Sequence, residues 1–536
     1  MLYDIKNKML TRLGNGISYE SNNKKYYCDG IFFIEGYRAG YDSLKKMADE
    51  FERKDYFDFI NYYGAYTIIV EDENGIVFFS DNSNLRCMYY SNELISNEFK
   101  DAVKGHNKNV VLNEYSIYQY FQHDCIYSDE TIVEGINTTL SEYYYCVKSN
   151  EITKKRKSIG DLNSIEYRIA PEKFSEIMKY SLAELNKSIS LTGGYDSRYV
   201  LSMLLGSENL NTGISTSNLN HEDVIISREV ACIAGINNHN VVCIEEPKIN
   251  EKKIIEMWQR RNCSIYSIAE YIYRLNVYLE ELKKLGVECL ITGDTGIFHK
   301  SEDWYQELPC YNKKNCNKKS YYKKRIIDIK TKLPLSDRLK EFEERFEKDS
   351  YLFLKENEQS VCTKSIDWYN WYYTRGLFYL KIYTNQSYIL NSYAPMMEYR
   401  FVINSYNLPR RERMAGSYIK KYITKTNSQI ARIKTVTKVT TSSEKKYIFV
   451  DTVHYIINLC KAVLRLFGKK VFKKVWFSKA VMNWDFSIEI RKMDVAKEAF
   501  EFAKKNNWLN KETKIEKIDY KLLCKVIEVY LIKNYI

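Results

Sequence analysis

The sequence predicts an α/β protein in three parts: a β-rich N-terminal stretch, a middle built round a parallel sheet, and a helical C-terminal stretch. Three observations carry this. Short apolar runs separated by turn-like segments recur over the first 160 residues. From about residue 165, strand-like and helix-like segments alternate, which implies right-handed βαβ units. Beyond about residue 330, helical patterns dominate. A chain of 536 residues is also too long for one compact core, so two or three domains are expected.

In chain order, apolar runs stand at Gly30–Ile34, Ala65–Val70 and Gly75–Ser80. Glu71–Gly75 between two such runs signals a β-hairpin. Asp81-Asn82-Ser83-Asn84 reads as a turn, and the polar stretch Lys148–Ser164 as a boundary. Pro171 suits the start of a helix, and Phe174, Ile177, Met178, Leu182 and Leu185 follow at helical spacing. Strands are expected at Ser188–Leu191, Asn211–Thr216, Asn240–Ile244 and Glu288–Thr292. Helices fall at Glu222–Ala234 and Tyr271–Lys284, and a further helix carries Tyr199, Val200, Met203 and Leu204 on one face. Ligands of such sheets bind at the carboxyl ends of the strands. The Lys-rich stretch 300–330 reads as a solvated excursion, and no internal repeat is evident.

Composition narrows the class. Hydrophobic residues at 45% and charged residues at 28% exclude wholesale disorder. A net charge of +12 permits an anionic partner without requiring one. Thirteen Cys is an odd number, no CxxC occurs, and the closest pair is Cys310 and Cys316. That argues against a disulfide framework or a structural zinc site, and a cytoplasmic location is expected. The first residues lack the apolar core of a signal peptide. Tyr447–Phe467 is broken by Asp451, His454, Asn458, Lys461 and Arg465, so no transmembrane span is expected. Lys461–Lys479 mixes lysines with Val471, Phe472, Val475, Trp476 and Phe477, and reads as a solvated amphipathic helix ahead of a membrane-touching one.

One segment carries chemistry: Thr192-Gly193-Gly194-Tyr195-Asp196-Ser197, after a strand and opening a helix. Two glycines let the backbone approach an anion closely, and the helix N-terminus adds unpaired N–H donors. Thr192 and Ser197 supply hydroxyls. Asp196 would repel phosphate, so its natural work is to hold Mg²⁺. The string lacks the spacer and ending of a Walker A loop.

The string resembles the pyrophosphate-binding loop of N-type ATP pyrophosphatases and, more narrowly, the asparagine synthase family, which includes β-lactam synthetase and lasso-peptide cyclases. Supporting segments occur in order: Phe57–Thr67, Phe79–Ser91, Thr131–Ile136, Ile291–Gly296 and Tyr393–Glu398. The resemblance implies an αββα Ntn-hydrolase-like domain over 1–162 and a HUP-like ATP pyrophosphatase domain over 163–440. A helical, basic extension over 441–536 follows. It further implies that Leu191, Thr192, Gly193, Gly194, Asp196, Ser197, Thr292 and Gly293 bind ATP and pyrophosphate. Asp196 would hold Mg²⁺, Asp294 would orient or deprotonate an amine, and Lys434 or Lys438 would stabilise the transition state.

Two departures matter. Glutamine-dependent members use Cys at position 2 as nucleophile, whereas this chain has Leu2 and no Cys before Cys28. No glutaminase activity is therefore expected. In the second loop, Ile297 stands where the family has a second metal-binding acid. The expected activity is ATP-dependent amide formation through an acyl-adenylate, as in asparagine biosynthesis. Its partners would be a small-molecule or peptide carboxylate and an amine or ammonia. The alternative is a degenerate synthetase kept as a nucleotide-binding or scaffold protein. A homodimer and a partner protein both stay open; nucleic acid is not expected. Asp223 reads as a helix cap ahead of a residue near the nucleotide, and His221, His239 and His299 as incidental.

Overall fold

A computed structural model of the chain describes residues 1–106, 109–149, 151–260, 270–300, 333–357, 368, 370–413, 416–453, 457 and 486–536. The Lys-rich stretch 300–330, apart from Lys300, and the Lys461–Lys479 segment lie outside these residues.

The N-terminal part holds two antiparallel sheets. The strands are β1 (Leu2–Asp4), β2 (Met9–Arg12), β3 (Ile17–Ser21), β4 (Lys24–Ile34), β5 (Tyr62–Asp72), β6 (Gly75–Ser80), β7 (Tyr89–Tyr90), β8 (Leu94–Ser96), β9 (Asn137–Thr138), β10 (Tyr143–Lys148) and β11 (Glu151–Arg156). One sheet runs β2-β1-β8-β7-β9 and the other β11-β10-β6-β5-β4-β3. Tyr3, Tyr90 and Ile95 of the first share a core with Ile69, Phe78 and Tyr145 of the second. The opposite face of the larger sheet packs Tyr26, Tyr66, Ile68 and Phe79 with Leu44 and Met47 of helix α1 (Tyr41–Lys54). Both faces of β5 are thus covered, which is why Tyr62–Val70 is buried throughout instead of alternating. The expected hairpin joins β5 to β6, with Asp72 opposite Gly75.

Two polar N-terminal segments carry structure of their own. The polar stretch 148–164 contains β11, an edge strand with five exposed positions out of six, and its lysines suit an edge. The turn-like segment Asp81–Asn84, between β6 and β7, is buried at all four residues. The Asp81 carboxylate accepts from the Ser83, Leu85 and Arg86 amides, and Asn82 Nδ2 donates to Phe59 O and Tyr62 O. The polar side chains there satisfy buried backbone that no strand pairs.

The middle part is a wholly parallel sheet of β12 (Lys187–Ser190), β13 (Leu210–Thr216), β14 (His239–Cys243), β15 (Cys289–Ile291) and β16 (Asn391–Tyr393), ordered β14-β13-β12-β15-β16. The four expected strands are present. β16 was not expected, because Asn391-Ser392-Tyr393 has no apolar run and is recruited only by pairing with β15. Strand order reverses at β12, so the connections after β12 and β15 leave in opposite directions and open a crevice at their carboxyl ends.

Glu398 ties this part to the N-terminal part. It is 2% exposed and accepts from Gly64 N at 2.6 Å, Tyr393 OH at 2.9 Å and Ser83 Oγ at 3.2 Å. Burial pushes its carboxyl up to about 8. Arg400 adds bonds to Asn61 Oδ1, the Tyr63 hydroxyl and Tyr167 O. At the C-terminus, helices Asp494–Lys505 and Tyr520–Tyr535 share a core with helix Glu114–His123, where Lys525 Nζ donates to Phe121 O at 2.7 Å. Among the described residues, no helix is long and apolar enough to cross a membrane.

Candidate functional site

β12 ends at Ser190, and helix α2 (Tyr195–Leu204) begins four residues after Leu191. The connection is held by its own side chains. Thr192 N donates to Ser197 Oγ at 3.1 Å, and Gly194 N to Thr192 Oγ1 at 3.2 Å. Beneath it Arg198, fully buried, donates to Gly193 O, Ile433 O and Lys434 O. The loop is thereby stitched to the 433–434 backbone.

The second loop, Thr292–Gly296, follows β15 and presses on the first. A Cβ at Gly293 would lie 2.6 Å from Ser197 N, and one at Gly296 would lie 2.1 Å from Asp196 Oδ1. Only glycine permits that approach. Thr295 sits at φ +66°, a strained conformation for a β-branched residue, of the kind concentrated at functional loops.

Between the loops lies a cavity of about 300 Å³. Thr192, Gly194, Asp196 and Ser197 line one side, and Thr292, Gly293 and Asp294 the other. Leu191 and Gly193 are not in the wall. Leu191 is buried with its amide on Gly213 O, and Gly193 N donates to Asp223 Oδ1 at 2.8 Å. Lys434 and Lys438 also lie outside the lining. Lys434 is exposed, and Lys438 pairs with Glu222 at 2.7 Å on the surface. Among the described residues, no Lys or Arg lines the cavity.

Asp294 is fixed by two donors: Tyr383 OH at 2.6 Å and Thr292 Oγ1 at 3.0 Å, both to Oδ2. Burial raises its pKa above the ordinary carboxylate value, and these hydrogen bonds oppose the rise. The Asp294 carboxylate is thus turned to Tyr383 and Thr292. Asp223 is not the cap of helix Glu222–Ile233: the N-cap is His221, whose ring accepts from Asp223 N, while the Asp223 carboxylate takes the Gly193 amide. His299 is wholly buried, with Nε2 2.9 Å from Met396 O and Nδ1 against Ser405 Oγ. It fastens the second loop to the helix behind it.

Sequence reasoning missed Ser215, Tyr278, Tyr383 and Gln386. Ser215 stands at the carboxyl end of β13, where the strand-end rule would have found it. Tyr383 and Gln386 come from a helix about 90 residues beyond the second loop, and no local pattern marks them. Gln386 is 5% exposed, lines the cavity, and has no hydrogen-bond partner for its Oε1 among the described residues.

Mg²⁺ would fit this donor set. Asp196 and Asp294 line one cavity, and Mg²⁺ usually takes one or two carboxylates and completes its shell with phosphate oxygens and water. The side chain of Ile297 is outside the described set. Among the described residues, no group of three or more His, Cys, Asp or Glu is arranged to hold a metal by itself.

The sequence matches no protein-family model and no curated protein. Among solved structures it is similar to the glutamine phosphoribosylpyrophosphate (PRPP) amidotransferase from B. subtilis, complexed with ADP and GMP. The likeness has 10% sequence identity and a TM-score of 0.19, over 42% of this chain and 73% of that chain. A likeness that slight carries no argument.

Proposed function

We propose that the chain is an ATP-dependent ligase of the asparagine synthase type, which forms an amide through an acyl-adenylate. The domain assignment that goes with it is 1–162 glutaminase-like, 163–440 ATP pyrophosphatase and 441–536 extension. The observation that carries the reading is the pairing of two loops at the strand-order reversal. The Thr192–Ser197 loop and the Thr292–Gly296 loop face each other across one cavity that also holds two carboxylates.

In the first half-reaction, a substrate carboxylate oxygen bonds to the α-phosphorus of ATP. The bond from that phosphorus to the bridging β-oxygen breaks, and pyrophosphate leaves. Thr192, Gly194 and Ser197 bind the departing polyphosphate through hydroxyls and loop amides. Mg²⁺, held by Asp196, would supply charge neutralisation for it. In the second half-reaction, an amine nitrogen bonds to the acyl carbon, the C–O bond to AMP breaks, and Asp294 takes the amine proton. Tyr383 and Thr292 hold Asp294 in place for this. Lys434 is assigned the cation that steadies the developing charge. No glutaminase activity accompanies this: Cys28, the first cysteine, is buried, and burial pushes its thiol up.

ATP–pyrophosphate exchange, assayed with a panel of carboxylates, tests the proposal. Exchange that requires one carboxylate supports it. ATP binding with no exchange on any carboxylate would favour the nucleotide-binding or scaffold reading.

A further inference from the structure

The cavity between the two loops has two unlike ends. The loop end carries hydroxyls and the carboxylates of Asp196 and Asp294. The other end lies one layer below. Ser190 and Leu290 each stand two residues before Thr192 and Thr292, so they sit roughly 6–7 Å further down the sheet. Leu275 and Tyr278 join them from the helix Glu270–Lys284.

Gln386 completes this deep end. Its helix, Phe378–Gln386, leads through a short connection into β16, which is parallel to β15, so the helix runs opposite to the strands. Gln386 comes three residues after Tyr383, the residue that holds Asp294. It therefore projects from the same side of the helix, about 4.5 Å deeper. The side chain is 5% exposed, and its Oε1 has no hydrogen-bond partner among the described residues. A buried amide is normally bonded, so an unmet one in a cavity wall calls for a partner from outside the chain. A carboxamide offers a donor beside an acceptor whichever way it is turned about its last bond.

A nucleotide has the same division: charged phosphates at one end, and at the other a flat, largely apolar base with a hydrogen-bonding edge. With the polyphosphate on the Thr192–Ser197 loop, the base falls at the deep end. The acid and the amine react beside Asp294, at the loop end.

We propose that Gln386 selects the nucleobase. Its carboxamide accepts from the N6 amine of adenine and donates to the ring nitrogen beside it, and Leu275 and Leu290 give the ring apolar surface. This inference rests on the reading that the Thr192–Ser197 loop binds the polyphosphate of ATP.

The test is isothermal titration calorimetry of the full chain with Mg²⁺ and either ATP or purine riboside triphosphate, which is ATP without its 6-amino group. Wild type is expected to bind ATP roughly tenfold or more tightly than the analogue. Gln386→Met keeps the length of the side chain and removes the amide. It should bind the two nucleotides within about twofold of each other and melt within about two degrees of wild type. Equal binding of the two by wild type overturns the proposal, and that comparison needs no variant. A gap that survives in Gln386→Met also overturns it, and with exchange intact the ligase reading still stands. A surviving gap together with a raised KM for the carboxylate would assign Gln386 to the acid. A markedly lower melting temperature for Gln386→Met would assign the residue to the fold. Wild type that binds neither nucleotide removes both readings. A base preference that depends on Gln386, with no exchange on any carboxylate, supports this inference and counts against the ligase reading alone.

Discussion

Replacing Glu398 by Gln exchanges a buried carboxyl for an amide of nearly the same shape. Oε1 keeps its bonds from Gly64 N and Tyr393 OH, and the new Nε2 donates to the Ser83 hydroxyl. The difference lies in the proton. In the folded chain burial pushes the Glu398 carboxyl up to about 8, and the nearby Asp81 adds to this while the three hydrogen bonds oppose it. In the unfolded chain a Glu titrates near ~4.3. Between those values the folded protein holds a proton that the unfolded chain has released. The resulting stabilisation is complete below about pH 4 and is lost as pH rises through about 8. The whole gap is worth roughly 5 kcal/mol, of which roughly 2 kcal/mol disappears between about pH 6 and pH 8. Urea unfolding followed by circular dichroism across this range gives the comparison. Wild type should weaken toward pH 8, and Glu398→Gln should decline less by about that amount. Parallel curves would refute the reasoning, because they would mean that Glu398 carries no excess proton in the folded state. Glu398→Ala should be destabilised by several kcal/mol at every pH, since it strands a buried amide and two hydroxyls, each at about 1–3 kcal/mol.

The active-site variants make separate demands. Asp196→Asn should lower pyrophosphate exchange by at least ~100-fold without lowering the melting temperature, consistent with loss of one electrostatic contribution of roughly 3 kcal/mol. Asp294→Asn should keep much of the exchange and lose ~10²–10⁴-fold in amide product; wild-type product formation would remove Asp294 from the mechanism. Tyr383→Phe deletes a donor that lowers the Asp294 pKa, so the rising limb of the product pH profile should move to higher pH, with no such move in exchange. Lys438→Met should be nearly silent, because an exposed pair with Glu222 contributes little, whereas Lys434→Met should lower both half-reactions. If Lys434→Met is also silent, the stabilising cation has been assigned wrongly.

The sequence alone determined what is local. The glycine pair, the hydroxyls and Asp196 stand within six residues, and strand, loop and helix follow from the chain itself. The four strands near the crevice were legible as short strand-like stretches alternating with helical ones, although only β15 is an unbroken buried apolar run and the edge strand β14 is half-exposed. The tertiary structure decided everything that depends on which surfaces meet. β16 became a strand only through its neighbour, and Asp81–Asn84 is buried only because other elements cover it. Asp223 found the Gly193 amide instead of a helix end, and Tyr383 reached Asp294 from 89 residues away. The helix at 445–453, which turns Asp451 inward to Lys420 and Thr440, shows the reason most plainly. Periodicity reveals that a helix has two faces, but which face is covered depends on partners, here Lys420 and Thr440, that the helix's own pattern does not contain.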